Sequence, residues 1–299
     1  MKVLNFRKID AFTSGLSSGN PAACILLSDN EKLSEKEMQN IASELGDFVC
    51  ETAFVRPVSG EEADFEFRYF SKEAEVPFCG HATIAVCHNL IRESQLFTES
   101  NSFKIKTKNG ILSIFNEYKT ENSVYIEAPE PCFHEHDVSI NEMADAINLN
   151  PDEIDKDDKL ICLNVGQKII LVPIMTYNSI IQCKPEFDKM KSFSDKHGID
   201  IIVIYSADSV FQENDFRTRV FPPAFGYLED PATGSGNAAL AYHQFINCGR
   251  SEEKITIEQG TDKLNPNIIK LKKNGSSVLI GGSAVMKIEG KYYYTGDPE

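Results

Sequence analysis

Arg217 to His243 reads RTRVFPPAFGYLEDPATGSGNAALAYH, and its grammar is strand, loop, helix. Arg219, Val220 and Phe221 open it with a β-type pattern. A proline-punctuated loop leads to Asp230-Pro231-Ala232-Thr233-Gly234-Ser235-Gly236, after which small apolar residues begin a helix. The first four N–H groups of a helix lack intrahelical partners, its dipole is positive there, and glycines let an anion come close to the backbone. The stretch therefore reads as a pocket floor for a small carboxylate.

The device occurs twice. Glu75-x-Pro77-x-x-Gly80 precedes His81-Ala82-Thr83-Ile84-Ala85 as Glu229-x-Pro231-x-x-Gly234 precedes Ser235-Gly236-Asn237-Ala238-Ala239, 154 positions later. Ser123-Val124-Tyr125-Ile126 recurs as Ser277-Val278-Leu279-Ile280 at the same offset, and Ile105–Gly110 resembles Ile255–Gly260 at a nearby one. Three matches in one order indicate an internal duplication. The prolines of Ala128-Pro129-Glu130-Pro131 favour extended chain and mark the linker. The expected lobes are 1–128 and 129–283, with the final strand near 284–299 able to return to the first.

At 299 residues the chain is long enough for two cores. It shows neither a long apolar run nor a basic-then-apolar leader, so no membrane contact is expected and the cytoplasm is the expected location. A formal charge of -15 argues against nucleic acid, which needs a basic face to displace counterions. The 8 cysteines are scattered without a C-x-x-C pair, which fits buried reduced thiols better than a disulfide frame or a zinc site. Cys132, His134, His136 and Asp137 beside the linker lack the full, element-held ligand set of a structural metal site, so no metal is expected.

Taken in order, Val3–Phe12 reads as a strand, a turn-rich loop follows from Ser14 to Asn20, and Cys24–Leu27 returns. Ser34 with Glu37, and later Ser139 with Glu142, read as capping boxes. Asp47–Val55, Ala63–Phe70, Phe103–Phe115, Ser123–Ile126, Ile199–Tyr205 and Ile255–Glu258 read as strands. Phe187, Met190 and Phe193 form a helical stripe that Gly198 ends. Glu51 is the anomaly, one carboxylate in an apolar strand. It is either an edge glutamate facing water or a desolvated carboxyl whose pKa rises toward neutrality, as a proton shuttle at carbon requires.

Gly19-Asn20-Pro21, Glu51-Thr52-x-Phe54-Val55, Pro77-Phe78-Cys79-Gly80-His81-Ala82-Thr83, Arg219-x-Phe221-x-Pro223-x-x-Gly226-x-x-Glu229-Asp230-x-Ala232-Thr233-Gly234-Ser235 and Glu258-Gln259-Gly260 occur in an order that resembles the PhzF family of phenazine-biosynthesis-like isomerases. The resemblance runs nearly end to end. It implies an α+β, diaminopimelate-epimerase-like fold, with two similar lobes, each a curved sheet or incomplete barrel around a central helix, and an active site between them. It also implies a homodimer. By motif, Glu51 matches the acid/base glutamate, and His81, Asp230 and Ser235 match residues that line and assist the site. Gly80, Gly234 and Gly236 match positions whose N–H groups hold a carboxylate, and Asn20 joins the substrate-binding set. Read as residues alone, His81 could equally cap its helix, Asp230 be an N-cap and Ser235 a first-turn residue. Where relatives carry Gly-Arg-Pro-Ser, this chain has Asn265-Pro266-Asn267 and no arginine.

Related epimerases place a thiol at the head of each helix. Here Cys79 stands at the first and Thr233 at its repeat, and a threonine hydroxyl is too weak an acid to replace a thiolate. A single carboxyl can instead move a proton between two carbons on one face, which suits Glu51. Three readings follow: a cofactor-independent isomerase of a small unsaturated or cyclic carboxylic acid, a thiol-dependent epimerase or racemase using Cys79, and a non-enzymatic small-acid-binding protein. No glycine-rich dinucleotide fingerprint follows the early strand, so no cofactor is expected.

Overall fold

The computed structural model describes residues 1–296 apart from 14, 29–30, 59–61 and 95–98. Ser14, the start of the first expected loop, and 297–299, the end of the last expected strand, lie outside the described residues. The chain divides into two compact units, Met1–Ile126 with Gly281–Glu299, and Glu127–Ile280.

In the first unit β1 (Lys2–Ala11) is antiparallel both to β2 (Asn20–Leu26) and to the late strand Ala284–Tyr294. The chain crosses through α1 (Glu35–Leu45) to β3 (Glu51–Pro57), which is parallel to β2. β4 (Phe65–Ser71) is antiparallel to β3 and to the short β5 (Glu75–Val76). A second crossover, α2 (Gly80–Glu93), leads to β6 (Ser102–Thr107), parallel to β4. β7 (Gly110–Glu117) and β8 (Ser123–Glu127) add antiparallel strands.

Two kinds of helix follow from two kinds of sequence. α1 is amphipathic and buries Met38, Ile41 and Ala42 against Leu4, Ile25, Phe54 and Phe70. α2 is buried continuously from Ala82 to Asn89, as a helix without a polar face must be when it occupies a core. α1 starts where the capping box requires: Glu37 N–H donates to Ser34 Oγ and Ser34 N–H to Glu37 Oε2. Ser34→Ala removes that exchange and costs about 1 kcal/mol, read as a lower urea midpoint with an unchanged slope.

The second unit contains β9 (Cys132–His134), α3 (Ile140–Ile147), β10 (Ile161–Asn164), β11 (Lys168–Pro173), α4 (Tyr177–Gln182), α5 (Phe187–His197), β12 (Ile201–Ser206), β13 (Phe216–Phe221), α6 (Gly234–Tyr242), β14 (Lys254–Gln259), β15 (Asn267–Asn274) and β16 (Ser277–Gly282). The boundary between the units falls within β16, after Ile280. β11 and β12 are parallel, β12 and β13 antiparallel, β13 and β14 parallel, β14 and β15 antiparallel. That is the order of β2, β3, β4, β6 and β7, with α4 and α5 in the place of α1 and α6 in the place of α2. The duplication is thus carried by strand pairing as well as by sequence. β12 and β13 are buried at every residue, and α6 is buried from Gly236 to Tyr242.

Register refines the sequence match. Phe65 lies opposite Ile105 in one unit and Phe216 opposite Ile257 in the other, so Ile257, not Ile255, is the counterpart of Ile105. Thr52 lies opposite Phe70, and Ile202 opposite Phe221. By that register the counterpart of Glu51 is Ile201.

Several expectations need correction. Phe103–Phe115 is a hairpin, β6 and β7, because Gly110 at φ 113° closes a turn that a continuous strand cannot make. The strand expected from Asp47 begins only at Glu51, since Phe48 N–H and Val49 N–H are still bonded to Leu45 O at the end of α1. The second capping box is half formed: Glu142 N–H donates to Ser139 Oγ, but the Glu142 carboxylate is taken by Lys196 and His197. All eight cysteines are free, yet Cys50, Cys132 and Cys248 are exposed rather than buried.

Candidate active site

Glu51 is the first residue of β3, directly opposite Ala22 on β2, and strand alternation sets Asn20 on the same face of the neighbouring strand. Asn20 is buried at the start of β2. Cys79 is the extended N-cap of α2 and makes no side-chain cap, followed by Gly80 and His81 in the first turn. The fold brings three of these side chains together. His81 Nε2 lies 3.3 Å from Glu51 Oε2, and Cys79 Sγ lies 3.5 Å from His81 Nδ1. A Cβ on Gly80 would meet Ile126 and Phe78 no closer than 3.8 Å, so packing does not demand glycine there.

The Glu51 side chain is 23% exposed, but its Oε2 is itself buried and makes no hydrogen bond; the imidazole contact falls short of hydrogen-bond geometry. Burial alone pushes this carboxyl up to about 7. Of the two readings of Glu51, the water-facing edge glutamate is the wrong one. Both protonation states are populated near neutrality, the condition under which one group can take and return a proton.

The corresponding head of α6 is built differently. Thr233, not Asp230, is its N-cap, and Asp230 sits in a β-bridge with Val220. Thr233 Oγ1 donates to Asp230 Oδ2 and accepts from Gln259 Nε2. Gln259 Nε2 also donates to Asp230 O, while Gln259 Oε1 accepts from Thr233 N–H at 2.9 Å and from Asn237 Nδ2 at 2.7 Å. Ser235 is a half-buried first-turn residue beside Gly234. Gly236 has a packing reason to be glycine, since a Cβ would come within 3.2 Å of Val203 and 3.3 Å of Val220. Gln259→Leu leaves Thr233 N–H and Asp230 O without this partner, at about 1–3 kcal/mol for each unpaired buried group. The expected result is a lower urea midpoint together with faster hydrogen exchange at Thr233.

Other motif residues prove to be scaffolding. Arg219 grips Glu229 with Nε and a terminal nitrogen, at 2.9 and 2.8 Å, and its other terminal nitrogen donates to Ile180 O and Cys183 O at the end of α4. Arg68 Nε donates to Glu75 Oε1 at 2.8 Å, so the repeated glutamates are held by repeated arginines. Each guanidinium also stands over a ring, Arg68 on Phe70 and Arg219 on Phe221. In the altered segment Asn267 Nδ2 donates to Pro231 O at 2.7 Å, a brace on the loop before α6. Sequence reasoning gave no role to Gln259 or to the arginine–glutamate pairs, although Arg68 and Arg219 stand in the same repeat as the glutamates they hold.

Glu51, Cys79 and His81 are the one group among the described residues whose potential metal-ligating atoms all lie within 4.8 Å of one another. Cys132, His134 and His136 are exposed and form no such group. Among the described residues no helix is long and apolar enough to cross a membrane.

Residues 9–290 match the family described as phenazine biosynthesis-like protein. The chain belongs to this family. A curated relative, the uncharacterized isomerase YfhB of Bacillus subtilis, is 27% identical over 297 residues, covering 99% of this chain and 98% of the relative. The crystal structure of a PhzF-family phenazine biosynthesis protein from Bacillus anthracis superposes with a TM-score of 0.85 at 28% identity, covering 98% of this chain and 100% of that one. A hydroxyproline epimerase from Agrobacterium vitis shares the fold, with a TM-score of 0.58 at 10% identity, covering 98% of this chain and 91% of that one. The phenazine biosynthesis-like family thus brings with it the α+β, diaminopimelate-epimerase-like fold, two similar lobes each with a sheet around a central helix.

Proposed function

We propose that the protein is a cofactor-independent isomerase of a small unsaturated or cyclic carboxylic acid, in which Glu51 moves a proton between two carbons. The observation that carries this reading is the buried, unbonded Oε2 of Glu51 at the head of α2, with its carboxyl pushed up to about 7. The ionised carboxylate takes a proton from carbon, the C–H electron pair moves into conjugation as the double bond shifts, and the same carboxyl returns the proton to the far carbon. First-turn N–H groups of α2, around Gly80, hold the substrate carboxylate and stabilise the charge that develops on it. His81, 3.3 Å from Oε2, orients the carboxyl. Asn20 is proposed to contact the substrate beside Glu51, and Asp230, Ser235, Gly234 and Gly236 are proposed as assisting and carboxylate-binding groups at the head of α6.

A two-base epimerase needs an acid/base group from each half of the duplication. At the place of Glu51 the second unit has Ile201, and at the place of Cys79 it has Thr233, whose hydroxyl is engaged by Asp230 and Gln259. Cys79 within 3.5 Å of His81 favours the thiol reading as the second choice. Solvent-deuterium incorporation into a panel of small unsaturated and amino carboxylic acids separates them. Exchange or isomer formation that disappears in Glu51→Gln supports the shuttle. Exchange that survives in Glu51→Gln but is lost in Cys79→Ser transfers the role to the thiol. Binding without exchange in the wild type favours the non-enzymatic reading.

A further inference from the structure

We propose that Glu51, Cys79 and His81 form a binding site for one zinc-class divalent cation, and that the bound ion shuts off the proton shuttle; the second half rests on the function proposed above. A thiol, an imidazole and a carboxylate are the ligand types that zinc combines, and three protein ligands with a free fourth position make a complete open site. Two ligands held about 2.0–2.3 Å from a tetrahedral ion lie about 3.3–3.7 Å apart. His81 Nε2 and Glu51 Oε2 are 3.3 Å apart, and Cys79 Sγ is 3.9 Å from the same Nε2. These two separations are within a few tenths of an ångström of that range, and all three atoms lie within 4.8 Å of one another, so side-chain rotation of about 1 Å at most closes the set.

The surroundings favour an ion in two further respects. Glu51 Oε2 is a buried acceptor without a hydrogen bond, so a cation would supply the missing partner. The side chains of His81 and Glu51 are 14% and 23% exposed, which leaves a way in and room for water or substrate as the fourth ligand. The positive end of α2 works against a cation, and two anionic ligands, the Cys79 thiolate and the Glu51 carboxylate, outweigh it. Binding releases the thiol proton to solvent together with any proton on Glu51, so uptake strengthens as pH rises. With its lone pair on the ion, Glu51 can no longer accept a proton from carbon.

Cobalt reports such a site directly. The test uses the full chain with the exposed Cys50, Cys132 and Cys248 changed to serine, titrated with Co2+ and then Zn2+ in the absence of substrate. One ion per chain, a thiolate-to-cobalt charge-transfer band and its displacement by zinc are expected. Cys79→Ser loses that band, and both Cys79→Ser and His81→Ala weaken uptake by more than about tenfold, the scale seen for even outer partners of metal ligands. Absence of a thiolate band, or a band that persists in Cys79→Ser, overturns the site. In deuterium exchange, saturating Zn2+ stops turnover and chelation by EDTA restores it; exchange unchanged at saturating zinc overturns the blocking role. Cobalt uptake by a chain that exchanges no proton overturns the shuttle alone, because binding is read without substrate.

Discussion

Glu51→Gln lowers carbon-proton exchange by about 10²–10⁴-fold or more, and above pH 7 it makes the protein more stable. Both results come from one cause. The folded-state carboxyl ionises at about 7 against an ordinary 4.5, so between those values the native state holds a proton that the unfolded chain has released. The favourable contribution of the neutral carboxyl is fully present below the ordinary value and is lost as pH rises through about 7. At most that loss is about 3 kcal/mol. Glutamine is never charged, so the variant escapes it: no gain in urea midpoint at pH 4, the full gain at pH 8.5. A wild-type stability that does not fall between those pH values, relative to Glu51→Gln, would remove the desolvated carboxyl and with it the basis of the shuttle. Exchange in the wild type should rise through the same pH region as the base form appears.

Arg217→Met unfolds the second unit more readily than any substitution at the surface. Arg217 and Glu258 are both fully buried and 3.0 Å apart. Arg217 also donates to Gly260 O and Asp262 O, and Glu258 accepts from Val210 N–H, Phe211 N–H and Asn214 Nδ2. Removing the guanidinium leaves a buried carboxylate uncompensated, which costs about 3–5 kcal/mol. At about 2–4 °C per kcal/mol the midpoint temperature falls on the order of 10 °C. Adding Glu258→Gln recovers part of the loss, because a neutral amide can stay where a lone charge cannot. Equal loss in single and double variants would show that the carbonyls of Gly260 and Asp262, not the ion pair, are what Arg217 secures.

Much of the local structure was legible in the residues. The Ser34–Glu37 box and the stripe of Phe187, Met190 and Phe193 ended by Gly198 in the left-handed region appear where the sequence sets them, and a helix follows each glycine loop, the second opening at Gly234 rather than after Gly236. Each depends on contacts within a turn or two of chain. The hairpin at Gly110 was missed for a different reason: its Asn109-Gly110 turn lies inside a run whose apolar pattern continues on both sides.

By itself the sequence determined the duplication, the two buried helices and the residue types at their heads, because periodicity, capping and turn chemistry are local and repeat with the chain. Only the tertiary structure decided what those residues meet. Glu51 and His81 are thirty positions apart, and nothing local says that β3 begins beside the first turn of α2 or that Oε2 is left buried without a donor. Glu229 and Glu258 carry the same carboxylate as Glu51, yet arginines neutralise them. The difference between a scaffold carboxylate and a candidate proton carrier is the desolvation and pairing that the packed strands impose, and those depend on register between segments far apart in the chain.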